Sequence, residues 1–452
     1  MKCWKLMLTT LTAFLTVASG IDLDVDDLNS LQKATSLVSS GLMDYYTGLQ
    51  KGQTIGMFAS PSYWWQAGGA WGSILDYWYY MQNDTYNSIL TQALLYQTGD
   101  NNDYMPLNQT VTEGNDDQAF WGFVVMAAAE RNYPNPPKDQ PQWLYLAQAV
   151  FNTMASRWDS DTCGGGLRWQ IFTWNSGYDY KNSVSNAALF HMASRLARYT
   201  GNSTYADWAT KVYDWMQDVG MLTDKDENSS FVYDGASIEN NCTKIVKYQW
   251  TYNQGLILSG SAYMYNHTGS ELWHKRTKDF LNSASVFFNS TNNIMYEAAC
   301  QGSGYCNNDQ RSFKAYFSRF LGLTAQLVPE TRDDIMKLLK ASAKGAAQSC
   351  SGGTDGHTCG LNWFYDGWDG KYGLGEQMAA LEVMQNLRCL DRPAPLTANT
   401  GGTSVGNPAA GTEQSPSNLS PLTITHGDKA GAGIITAVIG ITIIGSVVWL
   451  VL

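Results

Sequence analysis

Histidine is scarce in this chain, five in 452 residues, and no CxxC pair accompanies it. The ligand spacing of a zinc site is therefore missing. A phosphate loop, an HExxH pair and an EF-hand loop are missing too. The G-x-S-x-G match at Gly402 to Gly406 lies in a stretch with no strand or helix to build a nucleophile elbow. No metal and no organic cofactor is expected. Basic residues are also in short supply, 29 Lys and Arg against 40 Asp and Glu, for a net charge of −11. Such a surface is a poor match for DNA, RNA or anionic lipid head groups. It suits a neutral ligand. Alternation of β period is rare, and Leu167 to Phe172 is the stretch read as a short strand.

Aromatic residues are plentiful, with 17 Trp and 26 Tyr. Many belong to the core, but flat rings also stack on the C–H faces of sugars. Long apolar runs stand at the two ends. Lys2 and Lys5 precede a run from Leu6 to Val17, and Ala18-Ser19-Gly20 supplies small residues for cleavage, so residues 1–20 read as a secretory signal peptide. Its loss takes Lys2 and Lys5 away and the net charge from −11 to −13. Residues 431–452 end in an apolar run with nothing charged after it, the pattern of a GPI-attachment signal that is removed when the lipid is added. Asn418 and Gly427 are both candidates for the attachment residue. A retained transmembrane helix is the other reading of this tail.

Eight Asn-x-Ser/Thr sequons, at Asn83, Asn108, Asn202, Asn228, Asn241, Asn266, Asn289 and Asn418, fit a glycosylated secretory protein. In an oxidising compartment most of the cysteines should pair. Cys300 with Cys306 and Cys350 with Cys359 close short Gly-rich loops. Cys163, Cys242 and Cys389 then leave one thiol over. Residues 21–390 form one even block. Residues 391–430 are rich in Pro, Gly, Ser, Thr and Asn and read as a disordered stalk.

Within the block, spacing is helical. Trp208, Val212, Trp215 and Val219 share one face, as do Leu144, Ala147, Phe151 and Met154. Long apolar helices end near Glu130, Arg198, Asn266 and Val328. Two of these ends carry the same signature, RYTGNSTYADW and YNHTGSELW, and QTGDNNDY echoes it. Each Gly suits a helix C-terminus, and a polar residue then caps the next helix. A period of about 65 residues is too long for common helical repeats. It fits a helical hairpin plus a long loop, and six such hairpins close into an all-α toroid, the (α/α)6 barrel.

The most informative feature is Asp116 beside Asp117, in EGNDDQAFWGF, where a turn gives way to an apolar helix. Asn115 is expected to cap that helix. The helix dipole favours negative charge in the first turn, while two close carboxylates resist ionising together. One then ionises and one keeps its proton, the division that glycosidic bond cleavage uses. A plain helix cap is the bland reading of the same dipeptide. Other stretches resemble it, a polar group and then an apolar helix: YKNSVSNA with Asn182, and QWTYNQG with Tyr252 and Asn253. SPSYWWQAGGAWG with Trp65 and the loop CGLNWFYDGWDGKYGLGEQM with Trp363 and Asp366 add aromatic groups. These residues are the candidate substrate contacts.

Taken together, EGNDDQAFWGF, YKNSVSNA, YQWTYNQG, the CGLNWFYDGWDGKYGLGEQM loop and both terminal signals closely resemble the fungal GPI-anchored branch of glycoside hydrolase family 76. The resemblance covers residues 22–390. It implies an (α/α)6 barrel and a mannan endo-1,6-α-mannosidase activity with retention. By motif position it implies Asp116 as nucleophile and Asp117 as acid/base. The implied partners are a mannose-containing glycan, either α-1,6-mannan or the GPI core glycan, with a β-glucan acceptor in a transfer reaction. It also implies attachment to the outer leaflet of the plasma membrane or to the cell wall. Plain hydrolysis of α-1,6-mannan and a non-catalytic mannan-binding scaffold are the competing readings.

Overall fold

Helical spacing in the sequence becomes helix along nearly the whole chain of the computed structural model, which describes residues 20–109, 112–412 and 426–451. Twelve helices pair in order: α1 Leu28–Met43 with α2 Trp64–Met81, α3 Asn87–Tyr96 with α4 Asn115–Glu130, and α5 Trp143–Ser156 with α6 Ser183–Thr200. The other three pairs are α7 Ser203–Asp218 with α8 Thr251–Thr268, α9 Glu271–Ser283 with α10 Phe313–Leu327, and α11 Arg332–Ser349 with α12 Leu374–Gln385. The even-numbered helices pack in sequence, and α12 returns to α2, so the inner ring closes. The odd-numbered helices form the outer shell. This is the (α/α)6 barrel.

Composition decides which helix goes inside. Outer α7 buries one stripe, Tyr205, Ala209, Val212, Tyr213, Trp215 and Met216, and leaves the rest to solvent. Inner α4 is buried along nearly its whole length from Gln118 onward. A helix apolar on all sides is stable only when it is surrounded.

The two barrel ends differ in how the chain turns. At one end the connections are short. Gly201 and Gly269 take φ of 70° and 66° after α6 and α8, a conformation that favours glycine, and Asn202 caps α7. At the other end the loops are long and enter the N-termini of the inner helices. Five short strands lie there: β1 Tyr180–Asn182, β2 Leu222–Asp226, β3 Ser229–Val232, β4 Gly235–Ser237 and β5 Ile245–Val246. They form an antiparallel sheet in the order β1-β4-β5 and a separate β2-β3 pair. Leu167 to Phe172 is not among them. There Gln170 makes a single bridge to Gly114, and the Trp169 carbonyl accepts from the Asn115 N–H at 2.9 Å, so the segment is spent on holding the start of α4.

Cysteine pairing follows the sequence reading for Cys300–Cys306 and Cys350–Cys359. A third bridge joins Cys163 to Cys242, and Cys389 is a buried thiol. None of the seven sequon asparagines among the described residues is buried.

The expected stalk requires correction at its start. Residues 392–412 are docked on the barrel. Tyr79 donates to the Pro393 carbonyl, Leu396 N–H to Glu130, and Ala398 N–H to Tyr199. Ser404 then accepts from the N–H of Leu144, and Asn152 donates to the carbonyls of Pro408 and Ala410 at 2.9 and 2.8 Å. A segment without hydrophobic pattern binds here through its backbone, which composition does not reveal. The signal peptide, apart from Gly20, and the Asn418 sequon lie outside the described residues. Helix α13, His426–Val451, contains the one span among the described residues long and apolar enough to cross a membrane, Lys429–Ser446.

Candidate active site

The long loops and the first turns of α2, α4, α6, α8 and α10 enclose a hollow of about 220 Å³ at the open end of the barrel. Asp116 and Asp117 lie in its wall. The helix cap is Gly114 rather than Asn115. The Asn115 amide is committed elsewhere, donating to the Arg168 carbonyl at 2.8 Å and accepting from Arg157 Nε at 2.7 Å. Asp117 Oδ2 instead accepts from the Gly114 N–H at 2.7 Å. Gly114 must be small: a Cβ there would stand 2.6 Å from Asp116 Oδ1 and 3.2 Å from Asp117 Oδ2. Both oxygens therefore converge on one point and are no more than about 6 Å apart, compatible with the short carboxylate spacing of retaining glycosidases.

Both carboxyls are half-buried, open to the hollow but crowded by protein. That crowding pushes Asp116 up to about 7, opposed by its hydrogen bonds to Ser185 and Trp169, and assisted by the nearby charge of Asp309. Asp117 is raised as well, first by burial and then by Asp116. Two carboxyls this close resist ionising together, so one ionises while its neighbour keeps a proton. No Lys, Arg or His lines the hollow among the described residues, so no cation offsets the effect.

Two further carboxylates complete the wall. Asp309, before α10, accepts from Trp65 Nε1 at 3.0 Å. Asp234, before β4, accepts from the Tyr180 hydroxyl at 2.6 Å and from Trp250 Nε1 at 2.7 Å. The floor is aromatic. Tyr252 stacks on Phe313 with centroids 3.7 Å apart, and Phe120 lies 4.7 Å from Trp65. Ring faces below and carboxylates around the side make a receptacle for a neutral polyol.

Of the candidate contacts, Trp65, Asn182 and Tyr252 line this hollow with the two aspartates. Asn182 also caps α6 by accepting from the Ser185 N–H at 3.2 Å. Asn253, Trp363 and Asp366 do not line it. Asn253 follows Tyr252 on a helix, about 100° round, and is buried in the packing between helices. Trp363 turns inward and covers the Lys314 ammonium at 3.7 Å. Asp366 stands exposed in a loop that borders a different cleft. Asp309, Asp234, Trp169 and Phe313 escaped sequence reasoning. Asp309 carried a usable signal, because NNDQRSF is again a polar group before an apolar helix.

A closed (α/α)6 barrel whose open end holds adjacent carboxylates over aromatic rings defines a glycoside-processing enzyme. The chain matches the model of glycosyl hydrolase family 76 over residues 30–399 and belongs to that family. It is 68% identical to the mannan endo-1,6-alpha-mannosidase DCW1 of Saccharomyces cerevisiae, over 96% of each chain. It is 51% identical to the mannan endo-1,6-alpha-mannosidase DFG5 of Candida albicans, over 99% of each. Among solved structures, Dfg5 of Chaetomium thermophilum in complex with glucosamine matches with a TM-score of 0.82 and 39% identity, covering 86% of this chain and 97% of that one. An α-1,6-mannanase of Salegentibacter shares the fold, with a TM-score of 0.63 and 18% identity, over 80% of this chain and 99% of its own.

Proposed function

We propose that this protein is a retaining α-mannosidase of the cell surface, acting on α-1,6-linked mannose in mannan or in the core glycan of GPI anchors. The observation that carries this reading is the pair Asp116 and Asp117, both with raised proton affinity, in a hollow built of aromatic faces and carboxylates. Its family relatives are named for mannan endo-1,6-alpha-mannosidase activity, and an inactive form of the Salegentibacter enzyme is described in complex with α-1,6-mannotriose.

In this mechanism Asp116, as the ionised member of the pair, attacks the anomeric carbon. Asp117 donates its proton to the departing glycosidic oxygen. The product is a glycosyl ester on Asp116 with inverted configuration, and Asp117 is left as the carboxylate. Asp117 then takes a proton from an incoming hydroxyl, whose oxygen displaces Asp116 and restores the configuration. Water gives hydrolysis. A sugar hydroxyl of a β-glucan gives transfer, which would join a mannose-bearing wall protein to the wall. Trp65, Asn182 and Tyr252 hold the sugar over the pair. A GPI lipid would hold the enzyme at the outer leaflet, with its site beside other anchored proteins.

Mass spectrometry of a sugar adduct trapped with a fluoro-mannosyl donor tests the chemistry: the adduct belongs on Asp116, and an adduct on another residue overturns the assignment. A donor–acceptor product assay tests transfer. Joined products support it, and free reducing ends alone reduce the activity to hydrolysis.

A further inference from the structure

The loop CGLNWFYDGWDGKYGLGEQM carries more exposed aromatic surface than the catalytic hollow uses. It borders a second cleft of about 380 Å³ on the same open end, between the end of α1, the Cys350–Cys359 loop and the start of α12. Trp368, Tyr372 and Tyr45 give it ring surfaces, and Asp44, Asp355 and Thr358 give it polar edges.

The cleft is built before any ligand arrives. Gly352 and Thr358 exchange backbone hydrogen bonds of 2.9 and 3.0 Å inside the disulfide loop. Trp368 lies flat on Gly352, where a Cβ would stand 2.3 Å from the ring, and its indole donates to the Lys371 carbonyl at 2.7 Å. The Asp369 carboxylate accepts from the N–H groups of Leu361, Asn362 and Lys371, which pins the loop. Gly41 leaves the α1 side bare, since a Cβ there would meet the buried Gln377 amide at 2.6 Å. Tyr372 is 60% exposed and its ring centre is 6.2 Å from that of Trp368. Neither Asp44 nor Asp355 forms an ion pair among the described residues.

The cleft adjoins the catalytic hollow through one helix contact. Gly375 at the start of α12 packs against Ser312 before α10, and Glu376 pairs with Arg311 at 3.3 Å. Asp309 and Gln310, the residues just before Arg311, line the hollow.

Ring faces next to carboxylate and hydroxyl acceptors fit a neutral hexopyranose. Two unpaired carboxylates and no cation in the lining reject phosphate and sulfate. We propose that this cleft is a second glycan subsite, holding a neutral hexose unit of an oligosaccharide that reaches the catalytic hollow. The hexose comes either from the mannan donor or from a glucan acceptor. The assignment rests on the glycan-processing reading above, but its test does not need catalysis.

Binding is measured by calorimetry on the full chain carrying Asp116→Asn and Asp117→Asn, with α-1,6-mannotetraose and with a β-1,3-glucan tetrasaccharide. Tyr372→Ala, an exposed position that leaves the fold intact, and Trp368→Ala are then added singly. The expected result is an affinity loss of about tenfold for one of the two tetrasaccharides, the size of a lost ring contact. Mannose itself should bind with less than a twofold change. Loss for mannotetraose assigns the cleft to the donor, and loss for the glucan assigns it to the acceptor. Unchanged affinity for both sugars in both variants overturns the proposal. If the two tetrasaccharides respond to the cleft variants while no adduct forms on Asp116, the subsite stands and the mechanism falls.

Discussion

The two ends of the barrel treat their acidic residues differently. At the closed end Asp76, Glu130 and Glu382 are almost fully buried. Asp76 lies between Arg131 and Arg319, Glu130 pairs with Arg195 at 2.5 Å, and Glu382 pairs with Arg319 at 2.6 Å. At the open end Asp116, Asp117 and Asp309 have only hydrogen bonds from neutral groups. Desolvation acts at both ends; a guanidinium opposes it only at the closed end, and at Glu382 it does so only in part, leaving that carboxyl raised to about 7. The paired acids tie helices together. The half-buried acids of the open end have no such partner, and burial raises their proton affinity.

Removing the open-end pair has the largest expected effect. Asp116→Asn or Asp117→Asn should lower turnover by about a thousandfold or more, measured as sugar release from α-1,6-mannan oligosaccharides. Stability should move the other way. The folded pKa of each acid lies above its unfolded value near 3.9. Its contribution is thus full below pH 4 and is lost as pH rises through the folded value. The Asn variants should melt higher than the parent at pH 8, with the gap closing toward pH 4. A gap that widens toward acid would contradict the unpaired state.

At the closed end the signs reverse. Glu130→Gln or Asp76→Asn leaves a buried guanidinium short of its partner and should cost about 3–5 kcal/mol, read from denaturant melts. Turnover per folded molecule should hold. An intact melt would mean the buried pairs add little.

A subtler change sharpens the contrast. Asp309 raises the proton affinity of both Asp116 and Asp117. In Asp309→Asn both limbs of the pH–rate profile should move to lower pH. Movement of one limb alone would show that the pair does not share this field. The smallest effect belongs to the docked segment crossing the closed end. Asn152→Ala removes two hydrogen bonds to it and should cost about 1 kcal/mol. Faster amide exchange confined to residues 404–412 would report it.

Much of this architecture was legible in the order of residues. Helical spacing, glycines at helix ends and a long period gave six hairpins, because a helix face and its termination depend on neighbours within one or two turns. The Asp116–Asp117 pair was legible for the same reason: acids side by side at the start of an apolar helix are a local pattern. Two short disulfide loops were equally local. The docking of residues 392–412 was not, because its bonds run to partners some 200 or more positions away, such as Tyr199 for Ala398 and Leu144 for Ser404.

Sequence by itself thus determined the repeating hairpins, the inner helices and the position of the adjacent acids. Tertiary structure alone decided which other residues join them. Asp309, Asp234 and Trp169 arrive from three separate loops; Asp309 carries a local signal, a polar group before an apolar helix, but Asp234 and Trp169 carry none. It also decided that Tyr252 faces the hollow while Asn253 turns into the packing. A rotation of about 100° per residue separates those neighbours, and only closure of the six-helix ring fixes which of them points inward.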